Sequence, residues 1–247
     1  MNLYIIFIIN LIISFVKSAV VKNESELKNI LTNDNQEINI TIESELLLNN
    51  ELNIDGNFKK LTINGHAQNS SSINLSNNSQ TIYFSRDIEE IELQNITIKG
   101  NIYFDNIKKV SIDNVTLFGS IDSNFKNIQN DYIKIKNFNY KAAEYSVKNC
   151  INLSGNVDIE NSKFWGNSYC KNQILKHKGD SKYSFSVKNS YFSGEYQCSL
   201  IDIEYEAQSN IIDSLFEKGY CGSDISNGYT YIYEYILLFF IHILLNY

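Results

Sequence analysis

The 247-residue chain contains no proline, one arginine (Arg86), one tryptophan (Trp165) and one methionine. An average chain of this length would carry roughly a dozen prolines. Proline has no N–H to give to a strand ladder, so its absence suits an architecture in which nearly every strand is paired on both sides. The shortage of arginine removes the side chain most used for bidentate grip on phosphate. With 21 lysines and arginines against 28 aspartates and glutamates the net charge is -7, and no basic stripe appears along the chain. That balance excludes nucleic acid as a partner. The four cysteines show no CxxC spacing, which excludes a zinc site, and nothing in the pattern asks for a metal or a cofactor. Asn, Ile, Lys and Tyr are abundant, which reads as compositional bias as much as selection, so the position of an asparagine carries more weight than the count.

What is present is a repeated phrase: apolar, any, apolar, any, Asn, then an apolar residue and a glycine. It reads Ile91-Glu-Leu93-Gln-Asn95 with Ile98 and Gly100, then Val110-Ser-Ile112-Asp-Asn114 with Leu117 and Gly119. Looser copies place Asn137, Asn161, Asn189 and Asp213 at the same point, with intervals of 19, 23, 24, 28 and 24 residues. A period-two strand that returns at this spacing is the mark of a solenoid, whose units bury their apolar edges only by stacking. Asn and Gly both tolerate the left-handed backbone needed to turn between strands. Stacked asparagines turned inward would also satisfy one another's amides along the axis. Further short strands lie between the phrases, with no helix-length amphipathic run. The reading is therefore all-β: a single-stranded right-handed parallel β-helix. Leucine-rich repeats share the period but place Asn three residues after the last strand Leu, whereas here the gap is two.

The strand-plus-Asn phrase with its trailing apolar-x-Gly, as in Phe164-Trp165-Gly166, resembles the right-handed parallel β-helix proteins of the pectin-lyase-like class. The resemblance spans about Ile38 to Gly222. It implies coil geometry and leaves chemistry open, since that class holds pectate lyases, polygalacturonases, adhesins and extracellular repeat proteins. The paired-Asp, Gly-His-Gly and Arg-x-Lys motifs of its polygalacturonase-like members are missing: His66 is followed by Ala67, and Arg86 by Asp87. The Trp-x-Asp-His motif of pectate-lyase-like members fails too, because Trp165 is followed by Gly166.

The two ends read as addresses. Leu3 to Val16 is an apolar run of signal-peptide length, with a cleavage point after Ser18, so residues 1–18 are expected to be removed. Residues 19–37 are expected to form an N-terminal cap, 38–222 the β-helix domain and 223–247 an apolar tail. The tail follows a small-residue patch and a Tyr-rich spacer. It reads as a GPI-type signal, as a tail anchor, or as the mark of a stack cut off before its cap. A secreted or cell-surface location makes Cys150, Cys170, Cys198 and Cys221 disulfide candidates, with sequential pairing preferred. It also opens eight sequons to glycosylation: Asn23, Asn39, Asn69, Asn74, Asn77, Asn95, Asn114 and Asn152. Asn69, Asn74 and Asn152 are the expected acceptors, while Asn95 and Asn114, turned inward, should stay bare.

Few residues carry chemistry. Asp158 and Glu160 face outward from one strand at a spacing that would suit the acid and base of an inverting glycosidase. Their neighbours Lys134, Lys136, Ser186 and Lys188 make a cross-coil charge ladder the stronger reading. Phe118 and Trp165 share one coil position: exposed, the rings would stack on a sugar face; packed, they would lie beneath a neighbouring loop. The three histidines share no coil position and read as solvated or incidental. The sequence thus points to a non-enzymatic protein presenting an extended face to extracellular glycans or surface proteins, touching a membrane only through its tail. A polysaccharide lyase or glycoside hydrolase of the same architecture is the alternative.

Overall fold

The computed structural model describes residues 16–32, 37–66, 71–85, 87–124, 131–144, 147–179, 181–204 and 208–220. It is a β-solenoid of about seven turns, mostly strand with a single helix among the described residues, built as three parallel sheets of nine, eight and seven strands. One coil shows the plan. Glu90–Gln94 belongs to the first sheet, Thr97–Lys99 to the second and Asn101–Asp105 to the third; the chain then re-enters the first sheet at Lys109–Asp113. Register is strict, with Ile91 against Val110 and Leu93 against Ile112. A slip of one residue would turn every apolar side chain outward, so burial fixes the pairing.

Inward positions repeat from coil to coil. Ile38, Leu61, Ile91, Val110, Ile133, Val157 and Phe185 form one continuous column in the first sheet, all of them buried. Each such side chain contributes roughly 1.5–3 kcal/mol on burial. In the second sheet the column changes from aliphatic to aromatic. Ile73, Ile98 and Leu117 give way to Tyr140, Phe164, Phe192 and Phe216. Phe164 stacks on Phe192 at 4.3 Å, and Phe192 on Phe216 at 5.0 Å. The buried Tyr140 hydroxyl donates to the Gly119 carbonyl at 2.9 Å, which makes its burial affordable.

The asparagine corner works through the backbone. Asn95, Asn114, Asn137, Asn161, Asn189 and Asp213 all take φ between 49° and 53°. From that conformation each of the five asparagines donates its backbone N–H to the next coil, as Asn95 does to the Asp113 carbonyl at 3.1 Å. The expectation that their amides turn inward is not met: Asn114, Asn137, Asn161 and Asn189 are exposed. They form a surface ladder at first, where Asn114 donates to Asn95 at 2.8 Å and Asn95 to Asn64 at 3.0 Å. Asn137 bonds to Asp113 instead. From there serines take over beneath the corner. The backbone N–H of Phe138, Ser162 and Ser190 donates in turn to the hydroxyls of Ser162, Ser190 and Ser214, at 3.1–3.2 Å. The reason for the exposed placement is geometric: a left-handed residue at a corner points its side chain away from the core, while the following residue points in.

The trailing glycine of the phrase marks close approach. A Cβ on Gly119 would lie 1.9 Å from the Gly100 carbonyl oxygen, and one on Gly166 would lie 2.4 Å from Cys198 Sγ.

At the N-terminal end, Val16–Val21 pairs with Glu37–Ile42 and the helix α1, Glu24–Leu31, buries Leu27 and Leu31 in the core. Asn23 caps it: its Oδ1 accepts from Glu26 N–H at 2.9 Å, and the Glu26 carboxylate reaches back to Lys22 N–H at 2.8 Å. The helix therefore lies within the segment 19–37 expected as a cap. The first strand begins at Val16, inside the segment expected to be a signal peptide, so a cut after Ser18 would take Val16, Lys17 and Ser18 from this sheet. Residues 1–15 and 221–247, with the rest of the expected signal and the whole apolar tail, lie outside the described residues.

Candidate functional site

Each sheet turns a different outer face to solvent. On the first, alternating charges stand in register along the axis. One column runs Glu37, Lys60, Glu90, Lys109, and another runs Asp113, Lys136, Glu160, Lys188. Each of these columns sums to zero. Lys136 Nζ lies 2.8 Å from Glu160 Oε2, and that hydrogen bond holds the Glu160 carboxyl below its ordinary range. Asp158 is in register with Lys134 on one side and Ser186 on the other. The pair Asp158 and Glu160 thus sits on a compensated flat face.

At the N-terminal end of this face lies a cluster the sequence reading missed. Lys60 Nζ is 2.9 Å from Glu90 Oε1 and 2.7 Å from Glu92 Oε1; Lys60 and Glu92 line a shallow groove of about 330 Å³ together with Glu37, Asn39 and Thr62. Burial opposes the charge on Lys60, but the bonds from Glu92 and Glu90 outweigh it and raise its pKa. The signal was hidden on the lysine's side, because the coil of Lys60 turns at Asn64-Gly65 and lacks the full phrase.

The second sheet is different. Lys99, Phe118, Lys141 and Trp165 occupy one outward column on four successive coils. Lys141 Nζ lies 5.9 Å from the Phe118 ring centre and 5.8 Å from that of Trp165, so one ammonium bridges both rings. Trp165 also meets Tyr191, tilted, at 5.8 Å. The structure therefore brings Phe118 and Trp165 to the same face with a lysine between them. The third sheet carries Tyr83 stacked on Tyr103 at 5.1 Å, with Tyr83 Oη donating to Asp105 at 2.8 Å. Beside them Asp122 accepts from Asn152 at 2.9 Å, and burial raises the Asp122 pKa.

The remaining expected site residues are placed as follows. Cys150 and Cys170 form a disulfide across 20 residues. Cys198 is a buried thiol whose pKa burial pushes up to about 11, and Cys221, its expected partner, lies outside the described residues. His66 is exposed, but His177 is wholly buried with Nε2 2.7 Å from the Gly155 carbonyl, which corrects its reading as a solvated residue. The alternation Leu175-Lys176-His177-Lys178 was the available signal, since it puts His177 inward. Asn74 and Asn152, expected as glycan acceptors, are only 8% exposed. Their amide nitrogens donate to Glu45 and Asp122, bonds that a glycan on either nitrogen would have to displace. Asn69 lies outside the described residues. Among the described residues no group of three or more His, Cys, Asp and Glu is arranged to hold a metal ion. No family model matches this chain, and neither the curated proteins nor the solved structures give a match.

Proposed function

We propose that this chain is a secreted or cell-surface protein without catalytic activity, a right-handed β-helix of the pectin-lyase-like kind that presents an extended face for adhesion or glycan contact. The observation that carries this reading is the outward column Phe118–Lys141–Trp165, in which rings and a charge are held at fixed spacing by a hydrogen-bonded sheet. Rigid presentation lowers the ordering cost of binding, so many weak contacts along the axis add up. The self-neutralised first face fits a structural role.

A polysaccharide-cleaving enzyme is the second reading, and the groove lined by Lys60 and Glu92, with Glu90 paired to the same lysine, is the observation that favours it. The two carboxylates stand close on one strand, the oxygens that hold Lys60 less than about 6 Å apart, which is nearer the separation of a retaining pair than of an inverting one. Yet a charged lysine donating to both is an ion-pair arrangement, without the division into acid and base that glycoside hydrolysis needs. The test is to incubate the purified full chain with a panel of extracellular polysaccharides and follow both retention and chain length. Retention without shortening is expected. Shortening that is abolished by Glu92→Gln, or by Asp158→Asn or Glu160→Gln, would overturn the proposal in favour of the enzyme.

A further inference from the structure

The two charged faces treat their lysines differently. On the first sheet Lys60, Lys109 and Lys136 are each paired with a glutamate, at 2.7–3.8 Å, and Lys134 and Lys188 stand in register with Asp158 and Glu160. On the second sheet Lys99, Lys141 and Lys163 are exposed and form no ion pair among the described residues. In a chain of net charge -7, three uncompensated lysines on one face stand against the general composition. Lys163 lies beside the central column, in register between Asn139 and Tyr191.

The central column also alternates. Charge, ring, charge, ring occupy successive coils as Lys99, Phe118, Lys141 and Trp165. Adjacent strands lie about 4.8 Å apart, so like groups recur at about 9.6 Å. One strand spacing is close to the advance of one pyranose along an extended chain, and two spacings are close to a disaccharide. Resting on the glycan-contact reading above, we infer that this face binds a linear glycan of alternating acidic and neutral sugars laid along the solenoid axis, the acidic sugars over Lys99 and Lys141 and the neutral ones over Phe118 and Trp165. Lysine suits this task as a point charge for a carboxylate or sulfate, and the aromatic rings offer apolar faces to the C–H side of a sugar. The column ends beyond Trp165 at Ser193 and Glu217, where Tyr191 Oη already occupies the Glu217 carboxylate at 2.5 Å. Before Lys99 the column meets Asn74, whose amide nitrogen donates to Glu45, so four sugars fill the site.

The test uses the purified full chain and calorimetry with three probes: hyaluronan oligosaccharides, with one carboxylate per disaccharide; oligogalacturonate, acidic at every sugar; and neutral chito-oligosaccharides. The hyaluronan tetrasaccharide should bind nearly as well as the octasaccharide, and each other probe about tenfold more weakly. Lys141→Gln and Trp165→Ala should each weaken hyaluronan binding by about tenfold, while Lys136→Gln on the first sheet leaves it unchanged. Equal weakening by Lys136→Gln, indifference to Lys141→Gln, or preference for either other probe would overturn the inference. If the chain binds neutral glycans or cell surfaces in a manner indifferent to Lys141, this inference falls and the broader function stands. If the unaltered chain is retained by no glycan and no cell surface, both fall.

Discussion

His177 makes stability depend on pH in a predictable direction. Its ring lies inside the solenoid, in register between Leu153 and Ile203 and 4.9 Å from the Phe185 ring, none of which bears a charge. One nitrogen donates to the Gly155 carbonyl and Nδ1 has no partner. Burial lowers the pKa below the ordinary histidine value of 6.5, and the Gly155 bond only partly offsets that. A histidine whose folded pKa is depressed is charged more readily in the unfolded chain. Stability is thus fully present above pH 6.5 and is lost as pH falls below it, by up to about 1.4 kcal/mol per pH unit until the folded pKa is reached. For a domain of this size that loss is about 3–5 °C in Tm. The assay is thermal unfolding at pH 7.5, 6.5 and 5.5 for the parent chain and for His177→Leu. The variant leaves the Gly155 carbonyl without its donor, at a cost of about 1–3 kcal/mol that does not vary with pH. The comparison is therefore of slopes, in which carboxylates common to both chains cancel. The parent should lose stability between pH 6.5 and 5.5 more steeply than the variant. Parallel curves across this range would refute the argument.

Three further outcomes follow from the same geometry. Replacing Asp158 by Asn and Glu160 by Gln together should leave Tm unchanged within error, because the pair is only half-buried and lies in a salt-screened ladder; a marked fall would show that the face is held by those charges. Replacing both Cys150 and Cys170 by serine should cost about 3 kcal/mol of stability in a denaturant titration, as expected for closing a loop of this length, and peptide mapping without reduction should recover the 150–170 link. Produced in a eukaryotic secretory pathway, the chain should carry a glycan at Asn77, an exposed sequon in a turn, and none at Asn74, Asn95, Asn114 or Asn152, whose amide nitrogens donate to neighbouring side chains; glycopeptide mass spectrometry showing occupancy at Asn152 would mean that its bond to Asp122 forms late or not at all.

The coil was legible because two physical constraints recur from coil to coil. An inward position of a strand must be apolar, which shows as alternation at Ile91 and Leu93 or Val110 and Ile112. A tight corner must be left-handed, which selects Asn or Gly. Both constraints act on single residues, so one chain suffices to read them. The direction of the asparagine side chains was not legible, because the same residue type satisfies a corner whether its amide faces the core or the solvent. His177 escaped for the opposite reason: a histidine inside breaks the rule that inward residues are apolar, and only its place between Lys176 and Lys178 betrayed it.

Outward residues obey no such rule, and there the register itself carries the information. In the phrase apolar-x-Gly, the middle residue is Lys99, Phe118, Lys141 (before Ala142), Trp165, Ser193 and, with one residue more before the glycine, Glu217. Read coil by coil these are unrelated surface residues. Stacked in register they become one column with an alternating chemistry, and the alternation survives coils of 19, 23 and 24 residues because loops absorb the difference in length. Loop insertion would have scrambled a surface defined by distance along the chain. It leaves a surface defined by strand register intact, which is why a solenoid can vary its corners and still keep one face in order. The lysines and rings of the second sheet are therefore a property of the stack, and shifting a single strand by two residues would destroy the column while leaving the core alternation untouched.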